Sequence, residues 1–158
     1  AVDTSILLVC DKDRLQETAT RLSRVGFDNI LGHLQGGINA WDVNDLHSLQ
    51  SISAKKFASI YKEDNAIHIV DVRKASEYNS QHISGAELAP LSNLDKHHNK
   101  FTTSNENFVH CAGGYRSVIA GSLLKKQGIS NVINIEGGFD AIKETVIPLS
   151  DFICPTTL

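Results

Sequence analysis

The stretch Phe108-Val109-His110-Cys111-Ala112-Gly113-Gly114-Tyr115-Arg116-Ser117 sets a thiol at the end of an apolar run, and a helical pattern follows. The thiolate is the nucleophile of cysteine chemistry, and an ordinary cysteine is mostly thiol at neutral pH. This spacing supplies what shifts that balance. With a strand ending at Cys111 and a helix beginning at Ser117, a good N-cap residue, the backbone between them curls with N–H groups turned toward a point at the helix N-terminus. Gly113 and Gly114 let the backbone come close without Cβ clashes. Arg116 adds a permanent charge and can tie the loop to a carboxylate. A buried structural cysteine needs neither the paired glycines nor the arginine. Cys111 is the candidate nucleophile, and Ala112, Gly113, Gly114, Tyr115, Arg116 and Ser117 form the candidate anion-binding loop.

The other two cysteines lack this setting. Cys10 is followed by Asp11-Lys12-Asp13-Arg14, whose carboxylates disfavour both a thiolate and an anionic substrate, so it reads as an inactive position. Cys154, near the end of the chain, reads as a packing residue. The odd cysteine count and the absence of a C-x-x-C pair argue against a disulfide framework and a zinc site, and they suit a reducing, cytosolic compartment. His97 and His98 lie in a polar run and read as a solvated loop, so no metal ligands and no cofactor are expected from this chain.

The elements that must position Cys111 are short β-branched runs alternating with amphipathic helical patterns, the mark of an α/β fold with a parallel sheet. Strands are predicted at 6–10, 29–34, 67–72, 107–111 and 131–135, with a weaker one at 86–90. Helices are predicted at 13–25, 37–49, 54–62, 74–80, 91–96, 116–127 and 138–146. Residues 6–41 repeat the layout of 107–142: strand, cysteine, helix, glycine, strand, then Gly36-Gly37 or Gly137-Gly138. The first copy lacks anything matching residues 50–105. It is expected to be the second half of a degenerate repeat over 1–47, with a complete domain over 50–158.

Three motifs in order resemble the rhodanese sulfurtransferase family. They are Cys111 to Ser117, the upstream run Asp71-Val72-Arg73, Glu77-Tyr78 and His82-Ile83-Ser84-Gly85-Ala86, and Asn131 to Ile142 with its Gly137-Gly138 pair. The resemblance implies five parallel strands flanked by helices on both faces, with the cysteine loop at their carboxyl ends. It implies that Cys111 takes a sulfane sulfur from thiosulfate or a low-molecular-weight persulfide and passes it to a thiol or cyanide-like acceptor. It also makes Asp71, Arg73 and Glu77 charged supports of the site, and it gives His82 a place in fixing the turn before Gly85. Two positions depart from the pattern: Gln81 stands where the family usually has glycine, and His110 where an aromatic often precedes the cysteine. In an extended strand the His110 side chain points opposite to that of Cys111. Cysteine phosphatases that share this fold place one more residue between Cys and Arg than the four found here, which counts against phosphate chemistry.

The degenerate repeat, the active one and the ending Cys154-Pro155-Thr156-Thr157-Leu158 together resemble the tail of proteins that carry an upstream metallo-β-lactamase-like hydrolase or persulfide dioxygenase domain. Any metal would belong to that domain. The competing expectation is a non-catalytic rhodanese module that binds partners or senses sulfur.

At 158 residues the chain is long enough to bury roughly 70% of its unfolded surface. A net charge of −3 and a pI near 6.2 argue against nucleic acid as a partner, and no apolar stretch is long enough for a membrane span. The absence of methionine suggests a processed or shortened piece. Residues 1–47 hold too few strands to stand alone, so they are expected to dock on the complete domain or on another copy of the chain.

Overall fold

The computed structural model describes residues 2–46 and 48–154, in two compact units, 1–48 and 49–158. In the first unit, β1 (Ile6–Leu8) pairs in parallel with β2 (Ile30–His33), and α1 (Leu15–Ser23) links them. Leu8 is buried, whereas Leu7 on the opposite face of the strand is 73% exposed. The helix predicted over 37–49 is not formed. Two short 3₁₀ turns, Gly37–Ala40 and Val43–Asp45, stand there instead, separated by extended backbone at Trp41 and Asp42. The Asp42 carboxylate accepts the Asn44 backbone N–H at 2.9 Å, a local cap that starts a new turn and competes with helix continuation. His47, within the predicted helix, lies outside the described residues.

The second unit is the five-stranded parallel sheet, ordered β3-β7-β6-β4-β5. Its strands are β3 (Gln50–Ser53), β4 (His68–Asp71), β5 (Glu87–Leu88), β6 (Asn107–His110) and β7 (Val132–Glu136). Four of them lie within the predicted runs or a residue beyond. β3 was not expected, because Gln-Ser-Ile-Ser carries no apolar run. It is an edge strand paired only with β7, through Ile52 opposite Ile135, and its polar residues stay exposed.

The alternation of side chains along each strand divides the core into two layers. On one face, Phe108, Ile133 and Ile135 pack with Phe57 of α2 (Ala54–Glu63) and with Phe139 and Ile142 of α5 (Gly138–Ile142). On the other, Val70, Val109 and Val132 pack with Ala120 and Leu124 of α4 (Tyr115–Lys126) and with Leu94. The segment predicted as helix 91–96 is a kinked 3₁₀ run, Leu91–Lys100, with non-helical backbone at Asn93 and His97. Ser53 caps α2 by accepting the Lys56 N–H at 3.2 Å, and α3 (Ala75–Ser80) follows β4.

Because the strands are parallel, their carboxyl ends share one edge of the sheet. Asp71, the last residue of β4, lies opposite His110, the last of β6, so the chain leaves both strands side by side. Open α/β sheets bind ligands at such carboxyl ends.

Candidate active site

Cys111 follows β6 directly and is 1% exposed. The predicted start of the next helix is corrected: α4 begins at Tyr115, with Gly114 as its N-cap at φ 103°. Only glycine takes that left-handed turn without strain, and it swings the Gly114 N–H onto the Cys111 sulfur at 3.1 Å. Ser117 is thus in the first turn and not at the cap. Its buried hydroxyl lies 3.5 Å from the same sulfur and 3.0 Å from the Gly114 carbonyl oxygen, and its one proton can serve either.

Burial raises the Cys111 pKa. The Ser117 hydroxyl and the N–H groups of Ser117, Gly114 and Arg116 outweigh it and hold the thiol below its ordinary value. These donors sit at the N-terminus of a 12-residue helix, where the backbone carries partial positive charge.

The loop is fixed from behind by α5. Phe139 N–H donates to the Cys111 carbonyl at 2.6 Å, and Asp140 N–H to the Ala112 carbonyl at 3.0 Å. A trans peptide sets its N–H opposite its C=O, so this anchoring turns the Ala112 and Gly113 N–H groups away from α5. The approach is so close that a Cβ on Gly138 would fall 2.5 Å from the Ala112 oxygen. The first-turn amides of α5 were not singled out from the sequence, although the Gly137-Gly138 pair was the visible trace of that close approach.

Of the loop residues, Ala112 is half-buried, Gly113 is exposed, and Tyr115 is 87% exposed. The Arg116 guanidinium turns to the side, where Nη1 and Nη2 lie 2.6 and 2.9 Å from the two oxygens of Glu77. That pairing holds the Glu77 carboxyl below its usual value and raises Arg116. Glu77 Oε2 also accepts the Lys74 N–H at 3.2 Å, so one carboxylate ties the loop to the start of α3.

Asp71 and Arg73 form a separate, buried pair beneath the loop. Arg73 Nη2 is 2.6 Å from Asp71 Oδ2, its Nε and backbone N–H also donate to the carboxylate, and Nη2 reaches the Gln81 carbonyl at 2.8 Å. The guanidinium lies 4.0 Å above the Phe139 ring, so the pair steadies the residue whose N–H holds the Cys111 carbonyl. His110 fills the space between. It is fully buried, and desolvation lowers its pKa against the pull of Asp71. Its Nδ1 lies 3.3 Å from the Cys111 carbonyl oxygen and its Nε2 lies 3.8 Å from Asp71. The ring therefore faces the Asp71 side of the loop. His82 stacks on Tyr78 at 3.8 Å with Nδ1 2.8 Å from the Tyr78 carbonyl, in the turn and away from Cys111.

The first unit offers a contrast. Cys10, half-buried, lines a cavity of about 460 Å³ with Asp11, Lys12, His33 and Gly37, against about 210 Å³ for the cavity beside Arg116 and about 290 Å³ for one beside His68. Among the described residues no donor converges on its sulfur, so cavity size and nucleophile activation part company here. Among the described residues no cluster of three His, Cys, Asp or Glu side chains is placed to hold a metal, and no helix is long and apolar enough to cross a membrane.

Comparison with known proteins adds to this geometry. The chain is 35% identical over 91 residues to the "Putative sulfur carrier protein YrkF" of Bacillus subtilis, covering 58% of this chain and 49% of that protein. It therefore spans about half the length of that relative. It is 32% identical over 82 residues to the thiosulfate sulfurtransferase GlpE of Shewanella oneidensis, covering 52% of this chain and 81% of that one. The crystal structure of a rhodanese-like domain protein from Staphylococcus aureus superposes with a TM-score of 0.59 at 28% identity, over 65% of this chain and all of that one. The profile of the rhodanese-like domain matches residues 53–145, more than half of the sequence, and on that match the chain belongs to the rhodanese-like domain family.

Proposed function

We propose that the protein is a sulfurtransferase working through a Cys111 persulfide. The observation that carries this reading is the convergence of the Gly114 N–H and the Ser117 hydroxyl on one buried sulfur at a helix N-terminus. In the first half-reaction the Cys111 thiolate attacks the outer sulfur of thiosulfate. A new S–S bond forms, the thiosulfate S–S bond breaks, and its electron pair leaves with sulfite. In the second, an acceptor such as cyanide attacks the outer sulfur of the persulfide, and the electron pair returns to Cys111 as thiolate. The loop donors face a negative sulfur at each resting stage, so they stabilise thiolate and persulfide alike.

Arg116 takes a positioning role here, since its guanidinium is engaged by Glu77 and the loop amides are left to face the anion. Asp71 and Arg73 act through Phe139 and do not touch the reacting sulfur. An upstream metal-dependent hydrolase or dioxygenase domain belongs to this reading only through the resemblance carried by the degenerate repeat, the active one and the Cys154–Leu158 ending, whose last four residues lie outside the described residues. The first unit stands in it as a degenerate half-repeat. One observation favours that placement: Leu7 lies opposite Gly32 and Leu8 opposite His33, the same separation as Phe108–Ile133 and Val109–Asn134.

Intact mass tests the reading. Thiosulfate should add one sulfur to the protein, and cyanide should remove it. Cys111→Ser should abolish the gain, whereas Cys10→Ser and Cys154→Ser should keep it. A protein that gains no sulfur yet folds normally would point instead to a non-catalytic sensing or docking module.

A further inference from the structure

Beside the cysteine loop the second unit carries a cavity of about 210 Å³, lined by Val72, Lys74, Pro90, Leu91, Ser92 and Arg116. It shares Arg116 with the loop. Its floor belongs to the same apolar layer as Cys111: Val72 is buried in that layer, and Leu91 packs against it and donates its N–H to the Val72 carbonyl at 3.1 Å. The rim is cationic. Glu77 neutralises Arg116, but among the described residues the exposed Lys74 ammonium makes no ion pair or hydrogen bond, and no carboxylate lines the cavity. Volume sets the occupant's size. A water molecule takes about 30 Å³ of liquid and drug-sized pockets begin near ~300 Å³, so this space suits a tail of a few heavy atoms. Inorganic thiosulfate and cyanide have no tail to place there.

We propose that this cavity holds the carboxylate-bearing tail of a low-molecular-weight thiol, which receives sulfur from Cys111 or, as its persulfide, supplies it. The methylenes of the tail lie on Val72, Pro90 and Leu91, and the carboxylate meets Lys74 with the Ser92 hydroxyl beside it. In transfer to the thiol, its thiolate attacks the outer sulfur of the Cys111 persulfide. The new S–S bond joins thiol and outer sulfur, the bond to Cys111 breaks, and Cys111 leaves as the thiolate that the loop stabilises. The reverse exchange charges Cys111 from the small persulfide. Neither direction needs an added oxidant or reductant.

This inference rests on the sulfurtransferase reading, and one experiment separates the two. Sulfite release from thiosulfate is measured with cyanide, 3-mercaptopropionate, 2-mercaptoethanol and cysteamine as acceptors, for the parent chain and for Lys74→Gln and Lys74→Glu. Comparing KM ratios between parent and variant cancels the different acidities of the thiols. The ratio of KM for 3-mercaptopropionate to that for 2-mercaptoethanol should rise in Lys74→Gln and further, by about fivefold, in Lys74→Glu, while the cysteamine ratio falls. Ratios that stay constant across the three proteins, with cyanide still accepted, would overturn the subsite and leave the sulfurtransferase reading intact. No sulfite release with any acceptor would overturn both.

Discussion

At Cys111, burial and hydrogen bonding act in opposite directions on the same proton. Desolvation favours the thiol, and donors aimed at sulfur favour the thiolate, with the donors prevailing. The first half-reaction should therefore rise with pH as the thiolate forms and reach its plateau below the pH where an ordinary thiol would. Ser117→Ala removes one donor, raises the thiol pKa, and should move that limb to higher pH. At neutral pH the rate should fall by about fivefold, the worth of roughly 1 kcal/mol for a long hydrogen bond to a charged sulfur. A pH–rate profile of persulfide formation is the check, and an unmoved limb would remove Ser117 from the anion-binding set. The same scale explains why Arg116 and Glu77 act together. A bidentate pair fixes both planes at once, so either residue alone would leave the loop less constrained.

At the scale of elements, the loop is held between α4, which supplies donors to sulfur, and α5, whose first amides hold the carbonyls of Cys111 and Ala112. Gly138 is where α5 meets the loop, at φ 54° and with no room for a side chain. Gly138→Ala should push α5 off the loop and cost about 2–4 kcal/mol, combining a strained left-handed backbone with overpacking. Sulfur transfer should fall more than tenfold, and urea unfolding should show a lower midpoint. A variant with normal midpoint and activity would show that the close approach is dispensable.

On the scale of the whole molecule, every hydrogen bond and ion pair that builds the site lies between Asp71 and Asp140, inside the second unit. A chain shortened to residues 49–158 should thus fold cooperatively and keep sulfur transfer of the same order. Its thermal melt and thiosulfate–cyanide rate provide the test, and loss of both would mean that the first unit is required for the fold. The first unit is built differently. Leu7 and Leu31 are 73% and 66% exposed, whereas Phe108 of β6 is buried with residues of α2 and α5.

The cysteine loop and most of the sheet were legible in the sequence because both leave local signals. A cysteine between an apolar run and two glycines implies a strand, a turn and an anion loop whatever surrounds it. The apolar runs at 67–72, 107–111 and 131–135 lack a strict polar–apolar alternation, as strands of a sheet buried on both faces do. What pattern alone could not supply was long-range. β3 exists because β7 offers a free edge, and its polar residues carry no hydrophobic period to reveal it. The helix expected over 37–49 failed because the Asp42 carboxylate found a nearer partner in Asn44. Glu77 and Arg116 are far apart in sequence and meet only because β4 and β6 are neighbours, which places α3 beside the loop. The resemblance named Asp71 and Arg73 as supports, but only folding set their guanidinium over Phe139 and the Phe139 amide under Cys111. Residue types marked Cys111 as the candidate nucleophile, and tertiary packing decided which groups surround it, because hydrogen bonds between distant segments leave no periodic trace in a chain.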